Sequence, residues 1–273
     1  MTVSISGTGR ASQDISNANP QSFLITAREL VAATAPFDAA GLKVSFVVRR
    51  KGQPVNVFNF DVRTLALAND PTKAESEVWT DGTFNYYGYE IVLPVPYNLD
   101  GDDSATISID NRSNAGYSCQ MTAVEGQGIE YYSPVIQIYD VDFARAQQNI
   151  DLPDFLSKIT VVQEFSAASD PLTVIGLNFA SELWNNQVND VDIYGLLASQ
   201  FPIGSAAAAT ASKSFMFYNG IPTFNCKLFL DVDTTASLET FVVAFGGVQD
   251  ANIKARATAR AARQKAVNSR IYG

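Results

Sequence analysis

The sequence predicts an all-β protein made of two tandem copies of one antiparallel domain. Three observations carry that expectation. Short runs alternate apolar and polar residues, turn-forming clusters separate the runs, and the second half of the chain echoes the first. In "LKVSFVVR", Leu42, Val44, Phe46 and Val48 share one face, and in "SATISID" Ile107 and Ile109 do the same. In "GYSCQMTAV", Tyr117, Cys119, Met121 and Ala123 alternate with Ser118, Gln120 and Thr122. In "CKLFLDV", Leu228, Leu230 and Val232 point one way. Side chains of a strand alternate between faces, so each run reads as a strand with one buried face. Clusters such as "RKGQP", "NLDGDD", "NRSNAG" and "DVDTT" mark the turns.

The echo is specific in position. Residues 29–42 and 164–177 match at six of fourteen places, namely Glu29/Glu164, Ala32/Ala167, Ala33/Ala168, Pro36/Pro171, Gly41/Gly176 and Leu42/Leu177, an offset of 135. Just before this, "IT" recurs at 25–26 and 159–160. A second echo, at offset 121, pairs Tyr97/Tyr218, Asn98/Asn219, Asp110/Asp231, Ala115/Ala236, Ala123/Ala244 and Gly126/Gly247. The fall from 135 to 121 means that the first copy carries fourteen extra residues, and the polar stretch "ANDPTKAESEVWTDGTF" is a natural place for them. The expected organisation is an N-terminal arm over 1–20, a first domain over 21–145, a second over 152–250, and a basic tail over 251–273. A short helix is expected over 141–150 and another in the tail, which is rich in strong helix formers.

Composition excludes much chemistry. Hydrophobic residues make up 47% of the 273-residue chain and charged ones 17%, enough for sizeable cores. There is no histidine, so Ser-His-Asp triads, Cys-His dyads and HExxH zinc sites are out. The first residues lack the charged and apolar regions of a Sec leader, and the expectation is a protein kept inside a cell or released by lysis. Cys119 and Cys226 sit in strand-like runs and read as buried free thiols. Asn98, Asp100 and Asp102 have the spacing that opens a calcium loop. That loop's glycine and closing glutamate are replaced by Asp103 and Ile109, so a solvated turn is expected. Glu75, Glu77, Asp81 and Glu90 lie among Trp79, Phe84, Tyr86, Tyr87 and Tyr89, which could form a sugar-stacking surface with paired carboxylates. The same aromatics suit a protein interface. Glu29 and Glu164 are expected to share a structural role, bonding a turn before Pro36 and Pro171. No catalytic and no metal-ligating residue is assigned.

Six to eight strands in about 100–125 residues suit a jelly roll. Two tandem jelly rolls without histidine resemble the double jelly-roll major capsid proteins of tailless, membrane-containing icosahedral viruses, including bacteriophages. The resemblance is architectural, covers about residues 21–250, and carries over no functional residue. It implies a structural, non-enzymatic coat subunit without cofactors. It also implies a homotrimer that tiles as a pseudo-hexamer, contacts to neighbouring subunits and other virion proteins, and a location in the virion after assembly in the host cytoplasm. The alternatives are a carbohydrate-binding or carbohydrate-active jelly-roll protein, or a minor virion protein such as a penton or spike.

The tail sharpens the expectation. The chain carries a net charge of −9, but residues 251–273 hold six basic residues and no acidic one. The remaining chain has 13 basic and 28 acidic residues. On a helix at about 100° per residue, Arg256, Arg260, Arg263 and Arg270 fall in an arc of about 80°, with Lys254 and Lys265 opposite. Little apolar surface lies between, so the tail suits phosphates of lipid headgroups or nucleic acid rather than insertion into a bilayer.

Overall fold

A computed structural model of the chain describes residues 1–16, 18–31, 35–50, 53–70, 78–99, 103–126, 133–164, 170–181, 189–200, 214–236 and 238–248. The strands β1 (Thr2–Ser6), β2 (Gly9–Ile15), β3 (Pro20–Glu29), β4 (Leu42–Arg50) and β5 (Gln53–Asp61) lead into helix α1 (Val62–Asn69). β6 (Val78–Thr80), β7 (Asn85–Val92), β8 (Ser104–Asn111) and β9 (Tyr117–Glu125) follow. The second half repeats the order with β10 (Ser133–Asp140), β11 (Gln147–Asp151), β12 (Leu156–Gln163), β13 (Val174–Ala180) and β14 (Asn189–Val191). Helix α2 (Ile193–Gln200), β15 (Ser214–Thr223), β16 (Lys227–Val232) and β17 (Thr240–Val248) complete it.

These strands form four antiparallel sheets. Sheet 1 runs β1-β9-β3-β7-β6 and sheet 2 runs β2-β8-β4-β5. Sheet 3 runs β10-β17-β12-β15 and sheet 4 runs β11-β16-β13-β14. The strand order of sheets 3 and 4 reproduces that of sheets 1 and 2, apart from β6. Each pair of facing sheets is a jelly roll of eight strands, with β6 added at the edge of the first, and the all-β expectation is met. Both sequence echoes fall on corresponding strands: Leu42 and Leu177 on β4 and β13, Asp110 and Asp231 on β8 and β16, Ala123 and Ala244 on β9 and β17. β6, the fifth strand of sheet 1, comes from the stretch expected to hold the first copy's extra residues.

The alternating runs bury the faces they were expected to bury. Leu42, Val44, Phe46 and Val48 are fully buried, opposite Phe23, Ile25, Cys119 and Met121 of sheet 1. Phe23 packs on Phe46 and Phe58 with ring centroids 4.9 and 5.1 Å apart. The second roll buries Leu177, Phe179, Leu228 and Leu230 against Ile159, Val161 and Val242. Cys119 and Cys226 are both buried free thiols, and burial pushes the Cys119 thiol up to about 12.

Three expectations fail, for related reasons. Residues 1–20 are not an arm, because β1 pairs with β9 and β2 with β8. Both are edge strands, and "TVSIS" and "GRASQDI" present polar residues, as exposed edges do. The first roll therefore begins at residue 2. The second begins before 152, because β10 pairs with β17 and β11 with β16. Residues 141–150 form no helix. Asp142 caps a tight turn, accepting from the Ala144 N–H at 2.9 Å, and β11 follows. The expected helix in the tail lies outside the described residues.

The repeated glycines have a steric cause. A Cβ on Gly41 would lie 1.6 Å from Ser113 Oγ and 2.8 Å from Ser113 Cβ, and one on Gly176 would lie 2.7 Å from Asp231 Oδ2. Gly41→Ala should lower the unfolding free energy by about 1–3 kcal/mol in urea titration, because the turn between β8 and β9 must shift to admit the methyl group.

Candidate functional site

The two rolls meet through α1. Asp61 caps this helix, its carboxylate accepting from the Thr64 N–H at 2.8 Å. Val62, Leu65, Leu67 and Ala68 are buried. An α-helix leaves its last carbonyls without intrahelical donors. Here the second roll supplies the donors. Ser214 Oγ donates to the Leu67 carbonyl at 3.0 Å, Thr160 Oγ1 to Ala68 at 2.9 Å, and Lys158 Nζ to Asn69 at 2.8 Å. The ammonium also complements the negative end of the helix dipole and lies 4.0 Å from the centroid of the Phe245 ring.

Apolar packing surrounds these bonds. Val162, Phe241, Val243 and Phe245 turn away from their own roll and join the first roll's core, while Val161, Val242 and Ala244 face the second core. Phe60 meets Phe241 edge to face at 5.1 Å. Arg63 of α1 pairs with Glu164 at 2.6 Å. Arg50 bonds Asp103 in its own roll and Ser133 at the start of the second. Burial lowers the Lys158 pKa from 10.5 to about 8, with Asp70 pulling the other way. Of these seam residues only Thr160, Glu164 and Ala244 stood out in the sequence, as members of the repeats, and nothing there marked them as joining the rolls. The available signal was the run "TFVVAFGGV", which lacks alternation because both faces of β17 are covered.

The residues singled out from sequence are dispersed. Trp79 is 64% exposed and meets Tyr86 edge to face at 5.5 Å. Arg28 stacks over Phe84 and Tyr86. Tyr87 and Tyr89 point the other way and pack on Phe37, so the aromatics form no single platform. Asp81 accepts from the Phe84 N–H, the Tyr86 hydroxyl and the Thr83 N–H, which hold its pKa below the usual carboxylate value. Glu90 is exposed on β7. Glu29 and Glu164 stand at matching strand ends, and the turns before Pro36 and Pro171 that they were expected to bond include residues 32–34 and 165–169, which lie outside the described residues. Glu29 is buried and accepts from the Asn85 N–H at 2.8 Å, whereas Glu164 reaches α1. Asn98 precedes a stretch in which Asp100 and Asp102 lie outside the described residues, as do Glu75 and Glu77. Lys254, Arg256, Arg260, Arg263, Lys265 and Arg270 lie outside them too. Among the described residues no three His, Cys, Asp or Glu side chains group as metal ligands.

No protein-family model and no curated protein matches the sequence. Solved structures do. The major capsid protein P2 of bacteriophage PM2 aligns with a TM-score of 0.53 and 9% identity, over 92% of this chain and 98% of that one. The major capsid protein of STIV aligns with a TM-score of 0.53 and 10% identity, over 91% and 94%. The chain has the double jelly-roll fold of viral major capsid proteins. The likeness spans both rolls and nearly the whole of each relative.

Two outcomes test the seam. Thr160→Val leaves the Ala68 carbonyl without its donor, and the unfolding free energy should fall by about 1–3 kcal/mol. Lys158 holds fewer protons in the folded chain than in the unfolded one between about pH 8 and 10.5. Its charge therefore costs stability below pH 8, and stability should rise as pH climbs through that window. Urea titrations at pH 7, 8, 9 and 10 should show this rise in the wild type and a flatter profile in Lys158→Met.

Proposed function

We propose that the chain is a structural coat subunit of an icosahedral virus rather than an enzyme. The observation that carries this reading is the match of fold, end to end, to two viral major capsid proteins. Three copies would associate through their edges and sheet faces. Because each copy contributes two similar rolls, a trimer presents six similar units and fills a near-sixfold position in a shell. Such a subunit needs no cofactor. Its partners are other copies of itself and further virion proteins, and its location is the virion, assembled in the host cytoplasm.

The basic tail gives the shell an inner contact. Six cations on a segment following an otherwise acidic body favour a polyanion, and the Arg256–Arg260–Arg263–Arg270 stripe with Lys254 and Lys265 suits phosphates of an enclosed membrane or genome. Such contacts weaken with salt, because bound counterions are released on association.

Mass photometry of the purified protein should give a trimer, and co-expression with its virion partners should give particles. A strict monomer at tens of micromolar would overturn the coat reading. Deleting residues 251–273 should leave the trimer intact while reducing particle yield or its sensitivity to salt. Particles of normal yield and salt response without the tail would remove its phosphate role.

A further inference from the structure

The seam between the rolls is head-to-tail. The helix of roll one sits on the outer face of sheet 3 of roll two, and the two contributing surfaces are different. The duplication supplies each roll with both halves of this contact, so one helix and one sheet face are left over. The spare helix is α2. It repeats α1 at an offset of 131: Asp61 corresponds to Asp192, Val62 to Ile193 and Leu65 to Leu196. Both caps work alike, since Asp192 accepts from the Gly195 N–H at 3.1 Å as Asp61 does from Thr64. Ile193 and Leu196 anchor α2 on its own roll's core. The remaining face differs. Thr64 and Ala68 are buried, and Thr160 of the second roll bonds the Ala68 carbonyl, but their counterparts Gly195 and Ser199 are exposed.

The spare face is the outside of sheet 1. Thr26 corresponds to Thr160, whose hydroxyl caps α1, and it projects on that outer face beside Leu24. Leu24 is 43% exposed, and Val124 on the adjacent strand is 44% exposed. Opposite Thr26 on β7 stands Gly88. A Cβ on Gly88 would meet nothing within 4 Å, and its φ is not positive, so neither packing nor backbone within this chain calls for glycine. A glycine in a strand interior weakens the strand and marks a place where another backbone comes close. In sheet 3 the matching ground beside Thr160 is where the last turn of α1 lies.

We infer that the last turn of α2 of one copy docks on the outer face of sheet 1 of a neighbouring copy, over Thr26 and Gly88. This reproduces between chains the joint that α1 makes within the chain. Each copy then gives one helix and receives one. A heterologous contact closes into a ring when its rotation divides a full turn, and a joint between chains that repeats the one within each would let three chains place six rolls around a near-sixfold ring. The inference rests on the coat-subunit reading and names the surfaces that would hold its trimer.

Two single variants and their mixture test it. Gly88→Leu adds a side chain where this chain has open space, so its unfolding midpoint should match or exceed the wild type's. It should nevertheless be monomeric by mass photometry. Ser199→Trp on the exposed face of α2 should be monomeric too. A Gly88→Leu chain keeps a good helix, and a Ser199→Trp chain keeps a good receiving face. Mixed, they should form a dimer through that one sound joint and no trimer. Trimers persisting in both single variants would overturn the docking while leaving the coat reading standing. A monomeric wild type would overturn both. A Gly88→Leu chain that fails to fold would contradict the open space on which the inference depends.

Discussion

An α-helix ends on carbonyls that have no donors of their own, and α1 finds them on the other roll. Ser214, Thr160 and Lys158 reach across to three successive carbonyls, and all three bonds are 3.0 Å or shorter. In water such carbonyls would be solvated at little cost. Inside the seam an unmet carbonyl costs far more than a made bond gains, so the rolls can pack only in the register that brings these donors to the helix end. The apolar ring of Val162, Phe241, Val243 and Phe245 keeps water out and makes those bonds matter. Each roll keeps its own core, and the first roll's core takes in Val162, Phe241, Val243 and Phe245 of the second.

That arrangement explains why the two copies have diverged where they have. β9 and β17 are corresponding strands, yet β9 alternates strictly while β17 is apolar on both faces. β9 lines the first roll's core on one side and presents Gln120 and Thr122 on the other. β17 has a core on each side, its own and the first roll's. The same divergence separates Thr160, fully buried, from Thr26 on an open face. Duplication supplied two equal rolls, and joining them in one chain made one helix and one sheet face internal while leaving the other pair outside.

The core-facing residues of the central strands were legible because burial on one face imposes a period of two, and period is visible in one dimension. Leu42 to Val48 and Tyr117 to Ala123 were placed on their faces correctly. The edge strands were not legible. β1 and β2 have one paired side and little apolar content, so "TVSIS" and "GRASQDI" resembled a loose arm, and both roll boundaries were set too far along the chain. The short helix α1 went unnoticed because eight residues leave room for two turns and a weak pattern. The aromatic stretch around Trp79 suggested a platform, but alternation along β7 sends Tyr86 and Tyr87 to opposite faces.

By itself the sequence determined the all-β class, the duplication, the absence of imidazole chemistry, the buried thiols and the concentration of positive charge at the end of the chain. Those properties follow from composition and local periodicity, which need no partner in space. Only the tertiary structure decided that Thr160, Ser214 and Lys158 converge on one helix end from strands far apart in sequence. It alone decided that Glu29 and Glu164, alike in position, meet different groups. Hydrogen-bond complementarity between distant segments depends on their relative placement in three dimensions, and no repeat, spacing or composition carries that information.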